Sequence, residues 1–280
     1  MGPEQMKGSS GRRPRPALAA VLVAALVVVV ACGGSGSPTS GSGWHLIWSD
    51  GFSGTSLSGR WNAERVASPR NHELEYYVPQ NASVGDGDLT LTSQRQSYQG
   101  FGYTSAAVDT YRKFSFTYGK VVIRAKLPQM GQGIWPALWM LGTGCNPVGQ
   151  PCPWPTRTAD EIDLIEAVNS PSKIFMTPHY GPYVGDDIGP GSCTYNGADL
   201  SSSFHTYTVL WAPGGHLTWY IDGQVRCQRT ATGYFRGPMY LIMNTAIGGS
   251  FPGSPASSTA FPQQFKIDSV RVYQSGPASS

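Results

Sequence analysis

Asp160-Glu161-Ile162-Asp163-Leu164-Ile165-Glu166-Ala167-Val168 packs four acids into seven residues of an otherwise apolar stretch. A solvated charge run would surround its acids with polar residues. Here the neighbours are Ile, Leu, Ile and Val, and a carboxylate among such residues is costly to bury unless it is paired or protonated. On a helix, Asp163 and Glu166 would point about 200° and 140° away from Glu161, so no face would gather all three. On a strand Glu161 and Asp163 share a face and Glu166 falls on the other. One extra residue near Leu164-Ile165, a β-bulge, returns Glu166 to the first face. The segment therefore predicts a bulged strand with three acids along one side of a cleft. An acidic edge strand or a calcium site are the other readings of this stretch alone.

The flanking sequence repeats the period-two pattern of half-buried strands. Leu89, Leu91 and Ser93 alternate with Thr90 and Thr92, and Val121, Ile123, Ala125 and Leu127 with Arg124 and Lys126. Leu217, Trp219 and Ile221 alternate with Thr218 and Tyr220. Near the C-terminus Phe265 and Ile267 hold one phase while Val270 and Val272 hold the other, so a second bulge or sharp twist is expected between them. Asp86-Gly87, Pro213-Gly214-Gly215 and Asp222-Gly223 supply turns. Many short strands with Gly and Pro turns, and no long helical period past the N-terminal region, predict an all-β sandwich or barrel.

Crowded carboxyls repel, so some hold protons at neutral pH. One ionised and one protonated carboxyl is the pair that glycoside cleavage needs: one attacks or activates water, the other protonates the leaving oxygen. Glu161-Ile162-Asp163-Leu164-Ile165-Glu166 resembles the Glu-x-Asp-x-x-Glu signature of glycoside hydrolase family 16 in its bulged form. The resemblance implies Glu161 as nucleophile, Glu166 as general acid/base and Asp163 as the residue assisting the nucleophile. It also implies a retaining reaction, for which the carboxyls stand about 5–5.5 Å apart.

The likeness extends along the chain. Trp48-Ser49-Asp50-Gly51-Phe52, Glu73-Leu74-Glu75-Tyr76-Tyr77, Tyr103-Thr104-Ser105-Ala106 and the run Phe114 to Lys120 are similar to successive family segments. Gly133 to Leu141, Phe204-His205-Thr206-Tyr207, Trp219 to Gly223, Pro238 to Asn244 and Gly248-Gly249 follow in order. Together they resemble the laminarinase-like branch, which hydrolyses β-1,3-glucans and mixed β-1,3/1,4-glucans. The implied fold is a jelly-roll β-sandwich of two antiparallel sheets with a concave sugar-binding cleft. The resemblance marks Asn71, Glu75 and His179 as substrate contacts. Trp135 and Trp139, four residues apart, share a face of a regular strand, and aromatic faces stack on the C–H faces of sugars; Trp135 is expected at a subsite near the cut, and Trp139 at a subsite or in the core. Trp211 and Trp219 fit either cleft or core. Two positions depart from the pattern: Ala107 stands where Arg is common, and Gly51 where Glu is common. The second weakens the family's structural calcium, for which Asp268 is the remaining candidate ligand. The reaction requires no cofactor.

The N-terminal region reads as an address. Lys7, Arg12, Arg13 and Arg15 precede an unbroken apolar run from Ala17 to Ala31. A membrane span needs roughly 20 residues, so residues 1–31 are expected to be a secretory signal rather than an anchor. Val29-Val30-Ala31-Cys32 resembles a bacterial lipobox with Cys32 as the lipidated residue; release after nearby cleavage is the alternative. Residues 32–43 form a Gly/Ser-rich linker with a reach of about 20 Å, residues 44–274 the catalytic domain and 275–280 a tail. Setting Cys32 aside leaves Cys145, Cys152, Cys193 and Cys227, and the expected disulfides are Cys145–Cys152 and Cys193–Cys227. The four basic residues and Glu4 of the leader account for the whole formal charge of +3. A near-neutral mature chain suits a neutral β-glucan and excludes a nucleic-acid footprint. The expectation is an exported monomer, a bacterial cell-surface lipoprotein or a secreted protein, touching a membrane only through Cys32. The competing functions are the same chemistry on galactan, transglycosylation, and a non-catalytic glucan-binding lectin.

Overall fold

A computed structural model describes residues 43–67, 71–146 and 152–276. The expected leader, Cys32 and all but the last residue of the expected linker lie outside the described residues. The alternating segments do form strands, and they assemble into two antiparallel sheets packed face to face.

The back sheet runs in the order β16 (Gln224–Thr230), β15 (His216–Ile221), β14 (His205–Ala212), β9 (Gly119–Lys126), β18 (Gln263–Ser275), β6 (Asp88–Ser93), β5 (Ala82–Gly85). β1 (Trp44–Asp50) pairs with the second half of β18. The front sheet runs β13 (Cys193–Asn196), β12 (Lys173–His179), β11 (Glu161–Ala167), β10 (Ile134–Gly142), β17 (Met239–Ile247), β8 (Ala107–Asp109), β2 (Asn62–Ala63). A small third sheet, β3 (Val66–Ala67), β4 (Glu75–Tyr77) and β7 (Tyr103–Ser105), carries Glu75. This is the jelly-roll sandwich that the sequence pattern and its resemblance anticipated.

The core lies between the sheets because each strand turns one alternate set of side chains inward. Leu89, Leu91, Val121, Ile123, Trp211 and Trp219 from the back meet Ile134, Leu138, Ile162, Ile165 and Met243 from the front. Each such aliphatic side chain contributes roughly 1.5–3 kcal/mol when fully buried. Trp211 and Trp219 are therefore core residues. The turns follow the left-handed backbone their residues permit: Asp86-Gly87 (φ 55°, 80°) and Asp222-Gly223 (φ 51°, 75°) close two-residue hairpins. The phase change in β18 is a register shift between Ile267 and Ser269, with Asp268 as the extra residue. Both disulfides form with the expected pairing. Cys193–Cys227 ties the edge of the front sheet to the edge of the back sheet, with 5.9 Å between the Cα atoms. Cys145–Cys152 closes the loop that follows β10.

Candidate active site

The acidic stretch is β11, third from one edge of the front sheet. Its pairing with β10 runs Glu161 to Leu141 and Asp163 to Trp139, then shifts so that Ile165 meets Leu138 and Glu166 meets Ala137. Leu164 is the residue left over. The pairing with β12 shifts at the same place, setting Glu161 against His179, Asp163 against Thr177 and Glu166 against Phe175. The bulge thus turns Glu161, Asp163 and Glu166 to one face, away from the core that takes Ile162 and Ile165. From the core side, the Trp219 indole N–H donates to the main-chain carbonyl of Asp163 at 2.8 Å.

Rows of cross-strand neighbours then define the floor of the site. One row is Phe175, Glu166, Ala137, Asn244 and Ala107; the next is Thr177, Asp163, Trp139, Ile242 and Asp109. Trp135 donates its indole N–H to Glu166 Oε1 at 3.0 Å, and the Thr177 hydroxyl reaches Glu166 Oε2 at 3.5 Å. Trp139, half-buried, donates to Asn244 Oδ1 at 2.8 Å, and Asn244 in turn donates to the Tyr77 hydroxyl at 3.0 Å. His179 presents Nε2 to Asp163 Oδ2 at 3.2 Å and Nδ1 to Asp187 Oδ2 at 2.6 Å.

The electrostatics follow from burial and crowding. Burial pushes the Glu166 carboxyl up to about 8, with the charge of Asp163 adding to it and His179 and Trp135 working against it. Burial and Asp163 also push Glu161 up, while His179 pulls it down. Burial disfavours a charged His179, but its hydrogen bonds to Asp163 and Asp187 outweigh that and raise it to about 12. At neutral pH burial and crowding favour protons on both Glu161 and Glu166, and the cationic imidazole beside Asp163 is what draws Glu161 back toward the attacking carboxylate.

The loops complete the walls. Asn169, in the left-handed region just past β11, accepts from the Gly133 N–H at 2.7 Å and donates to the Pro252 carbonyl at 3.0 Å. Gly133 (φ 85°) is required there, since a Cβ would run into the Pro255 backbone. That junction places Phe251 edge-on to Trp135, with ring centroids 5.4 Å apart. Asn71 is exposed beside the same loop: its carbonyl accepts from the Ser250 N–H at 2.7 Å and its amide is held by Glu73 at 3.1 Å.

A chain with this fold, this bulge and this row of carboxyls matches the model of glycosyl hydrolases family 16 over residues 69–271. The chain belongs to glycosyl hydrolase family 16. Among its relatives, the clotting factor G alpha subunit of Tachypleus tridentatus is 35% identical over 85% of the chain. The β-glucanase of Rhodothermus marinus is 34% identical over 89% of it. The chain spans 35% of the length of the first and 92% of the second. The laminarinase catalytic domain of Thermotoga maritima MSB8 superposes with a TM-score of 0.72 at 36% identity, covering 82% of this chain and 98% of that one.

Within this family member, the structure gathers Glu161, Asp163, Glu166, His179, Trp135 and Trp139 on one face, with Asn71 at its rim. One sequence expectation needs correction. Glu75 is completely buried in the third sheet, where its Oε2 accepts the Ile247 N–H at 2.7 Å, so it offers no surface to a sugar. Asp268 pairs its Oδ1 with Arg124 at 2.9 Å and accepts the Ser269 hydroxyl on Oδ2 at 2.9 Å. Among the described residues, metal-ligand spacing occurs at Glu161, Asp163 and His179, whose ligand atoms lie within 4.8 Å of one another. That set is part of the reacting face itself. Sequence reasoning missed Asp187, Thr177, Phe251 and Asn244. Nothing local in the sequence distinguishes them, because each gains its role only where the fold sets it against the acidic strand, a cleft tryptophan or His179. Asp160, the fourth acid of the stretch, turns away from the face and accepts the Phe235 N–H at 2.7 Å.

Proposed function

We propose that the chain is a retaining endo-β-glucanase acting on β-1,3-glucan of the laminarin type and on mixed-linkage β-1,3/1,4-glucan. The observation that carries this reading is the bulge at Leu164, which sets Glu161, Asp163 and Glu166 in successive positions on one face. Glu161 attacks the anomeric carbon as the glycosidic C–O bond breaks, and the departing oxygen takes the proton of Glu166. Glu166, now a carboxylate, takes a proton from water. The water oxygen displaces Glu161 from the anomeric carbon, restoring both acids. Asp163, balanced by cationic His179, steadies the nucleophile. Trp135 and Phe251 offer apolar rings for a sugar beside the cut, and Asn71 an amide at the rim.

Ala107 favours a second reading. It sits in the same row as Glu166 and Asn244, where a laminarinase-like chain commonly carries Arg. A missing guanidinium alters the hydroxyl contacts three strands from the acid, which suits another neutral polymer such as galactan, or transfer to a sugar acceptor. The leader-like N-terminal sequence and the two disulfides support export, with lipidation at Cys32 or release; the reading takes the protein as a monomer that meets a membrane only through that lipid.

The test is reducing-sugar release from laminarin, barley mixed-linkage glucan, agarose and galactan, with Glu161→Gln alongside. Release from the glucans, lost in the variant, supports the reading. Release from a galactose polymer alone keeps the mechanism and replaces the substrate. Silence on all four polymers overturns it in favour of a glucan-binding lectin.

A further inference from the structure

We propose that Asp187 is a positioning residue for this reaction, acting through His179 to fix the counter-charge beside Asp163 and Glu161. The inference rests on the hydrolase reading above for its kinetic consequences, and on geometry for the rest.

Asp187 lies on the loop between β12 and β13, outside the acidic motif. Its carboxylate is organised before any substrate arrives. Oδ1 accepts the N–H groups of Gly189 at 3.0 Å and Tyr180 at 3.3 Å, and Oδ2 meets His179 Nδ1 at 2.6 Å. The loop itself is pinned: Ile188 N–H bonds the Tyr180 carbonyl at 2.9 Å, and Gly185 N–H bonds the Trp154 carbonyl at 3.0 Å. Trp154 follows the Cys145–Cys152 loop, and its ring stands 5.4 Å from that of His179. The imidazole is therefore gripped on one nitrogen, flanked by an indole, and aimed through the other nitrogen at Asp163.

The charged groups that face His179 are Asp163 and Glu161 on β11, Glu166 further along that strand, and Asp187 on the loop. Trp154 and Thr177 face it without charge, and Tyr180 turns its ring to Tyr234 and Phe235. One cation thus serves three acids of the reacting face, and Asp187 is the acid that does not belong to that face. A carboxylate so placed fixes the ring's orientation and favours its doubly protonated form, as a second partner does for any histidine with two donors to place. Without it the ring is free to turn and to lose its proton, and Asp163 then stands uncompensated next to the nucleophile.

The experiment follows the ring of His179 by NMR across pH in the whole protein, assigned with His179→Ala, beside kcat and KM on laminarin. In wild type the ring stays protonated well beyond the usual histidine range of about 6.5. In Asp187→Asn its midpoint falls by more than a unit, kcat drops about tenfold to a hundredfold with KM little changed, and Asp187→Glu restores part of both. Asp186→Asn, which removes the same charge one residue away, behaves as wild type. Asp187→Asn added to His179→Ala costs nothing further, because the effect runs through the ring. An unchanged ring titration in Asp187→Asn, or a loss that multiplies with that of His179→Ala, overturns the proposal. If wild type turns over no glucan, the hydrolase reading fails, while the ring titration still decides whether Asp187 governs His179.

Discussion

Trp219, wholly buried in the back sheet, donates its indole N–H to the main-chain carbonyl of Asp163 at 2.8 Å, in the front sheet. The bulge interrupts the ladders on both sides of β11 at this place, so that carbonyl needs a partner from elsewhere. The core thereby secures the backbone from which the reacting face projects.

Trp219→Phe keeps an aromatic ring and removes the donor. A buried carbonyl left unsatisfied costs about 1–3 kcal/mol, so the urea midpoint falls with an unchanged m-value. If the bulge depends on this anchor, kcat falls as well, with KM nearly constant. Loss of stability with kcat intact would show that the β10 and β12 ladders hold the acids by themselves.

Glu166 is raised to about 8, chiefly by burial and then by Asp163. A group that must donate a proton works below its pKa and fails above it. The alkaline limb of kcat/KM, which reports the free enzyme, is therefore expected near pH 8. Trp135 donates to Glu166 and so favours the ionised form. Trp135→Phe removes that donor, raises the carboxyl further and moves the alkaline limb to higher pH. A pH–rate profile whose limb stays fixed or moves down would sink the assignment of the limb to Glu166.

Much of this was legible in the sequence, and the boundary has physical causes. The acidic stretch could be placed on a bulged strand because the side-chain period of a strand is two and that of a helix is not. The slip in β18 was visible for the same reason. Trp211 and Trp219 could not be assigned to core or cleft, because an indole suits both and strand pairing alone decides which face is inward. Glu75 looked like a cleft acid within its motif, yet its strand belongs to a third sheet in which its side chain is fully buried. Asp187 carries no local signature: a Gly- and Asp-rich loop reads as a turn, and only its approach to His179 gives it chemistry.

The two disulfides should separate stability from activity. Cys193–Cys227 spans 34 residues and Cys145–Cys152 spans 7. On the loop-entropy model the longer bridge stabilises by about 1.4 kcal/mol more. Cys193→Ala/Cys227→Ala is thus expected to lower the denaturation midpoint more than Cys145→Ala/Cys152→Ala does. The order reverses for catalysis, because the short loop leads into Trp154 beside His179. Chemical denaturation and laminarin kinetics on both double variants test the pair of statements. Equal kinetic losses would detach the short loop from the site.

Glu75 predicts how stability depends on pH. Its side chain is fully buried, and burial first, with the charge of Glu73 adding, raises it from 4.5 to about 8. Between these values the folded chain holds a proton that the unfolded chain has released. Stability contributed by that proton is complete below about 4.5 and is lost as pH rises through about 8, at up to about 1.4 kcal/mol per pH unit. Glu64 and Glu166, both raised to about 8, share the same window, so the wild-type slope is a sum. Glu75→Gln mimics the protonated acid: its amide oxygen can still accept the Ile247 N–H, and it has no proton to lose. The variant is expected to melt close to wild type at pH 5 and higher than wild type at pH 9, giving a shallower decline between. Melting curves that run parallel across this range would mean that Glu75 is ionised in the folded protein, satisfied by Ile247 and Tyr77 despite its burial.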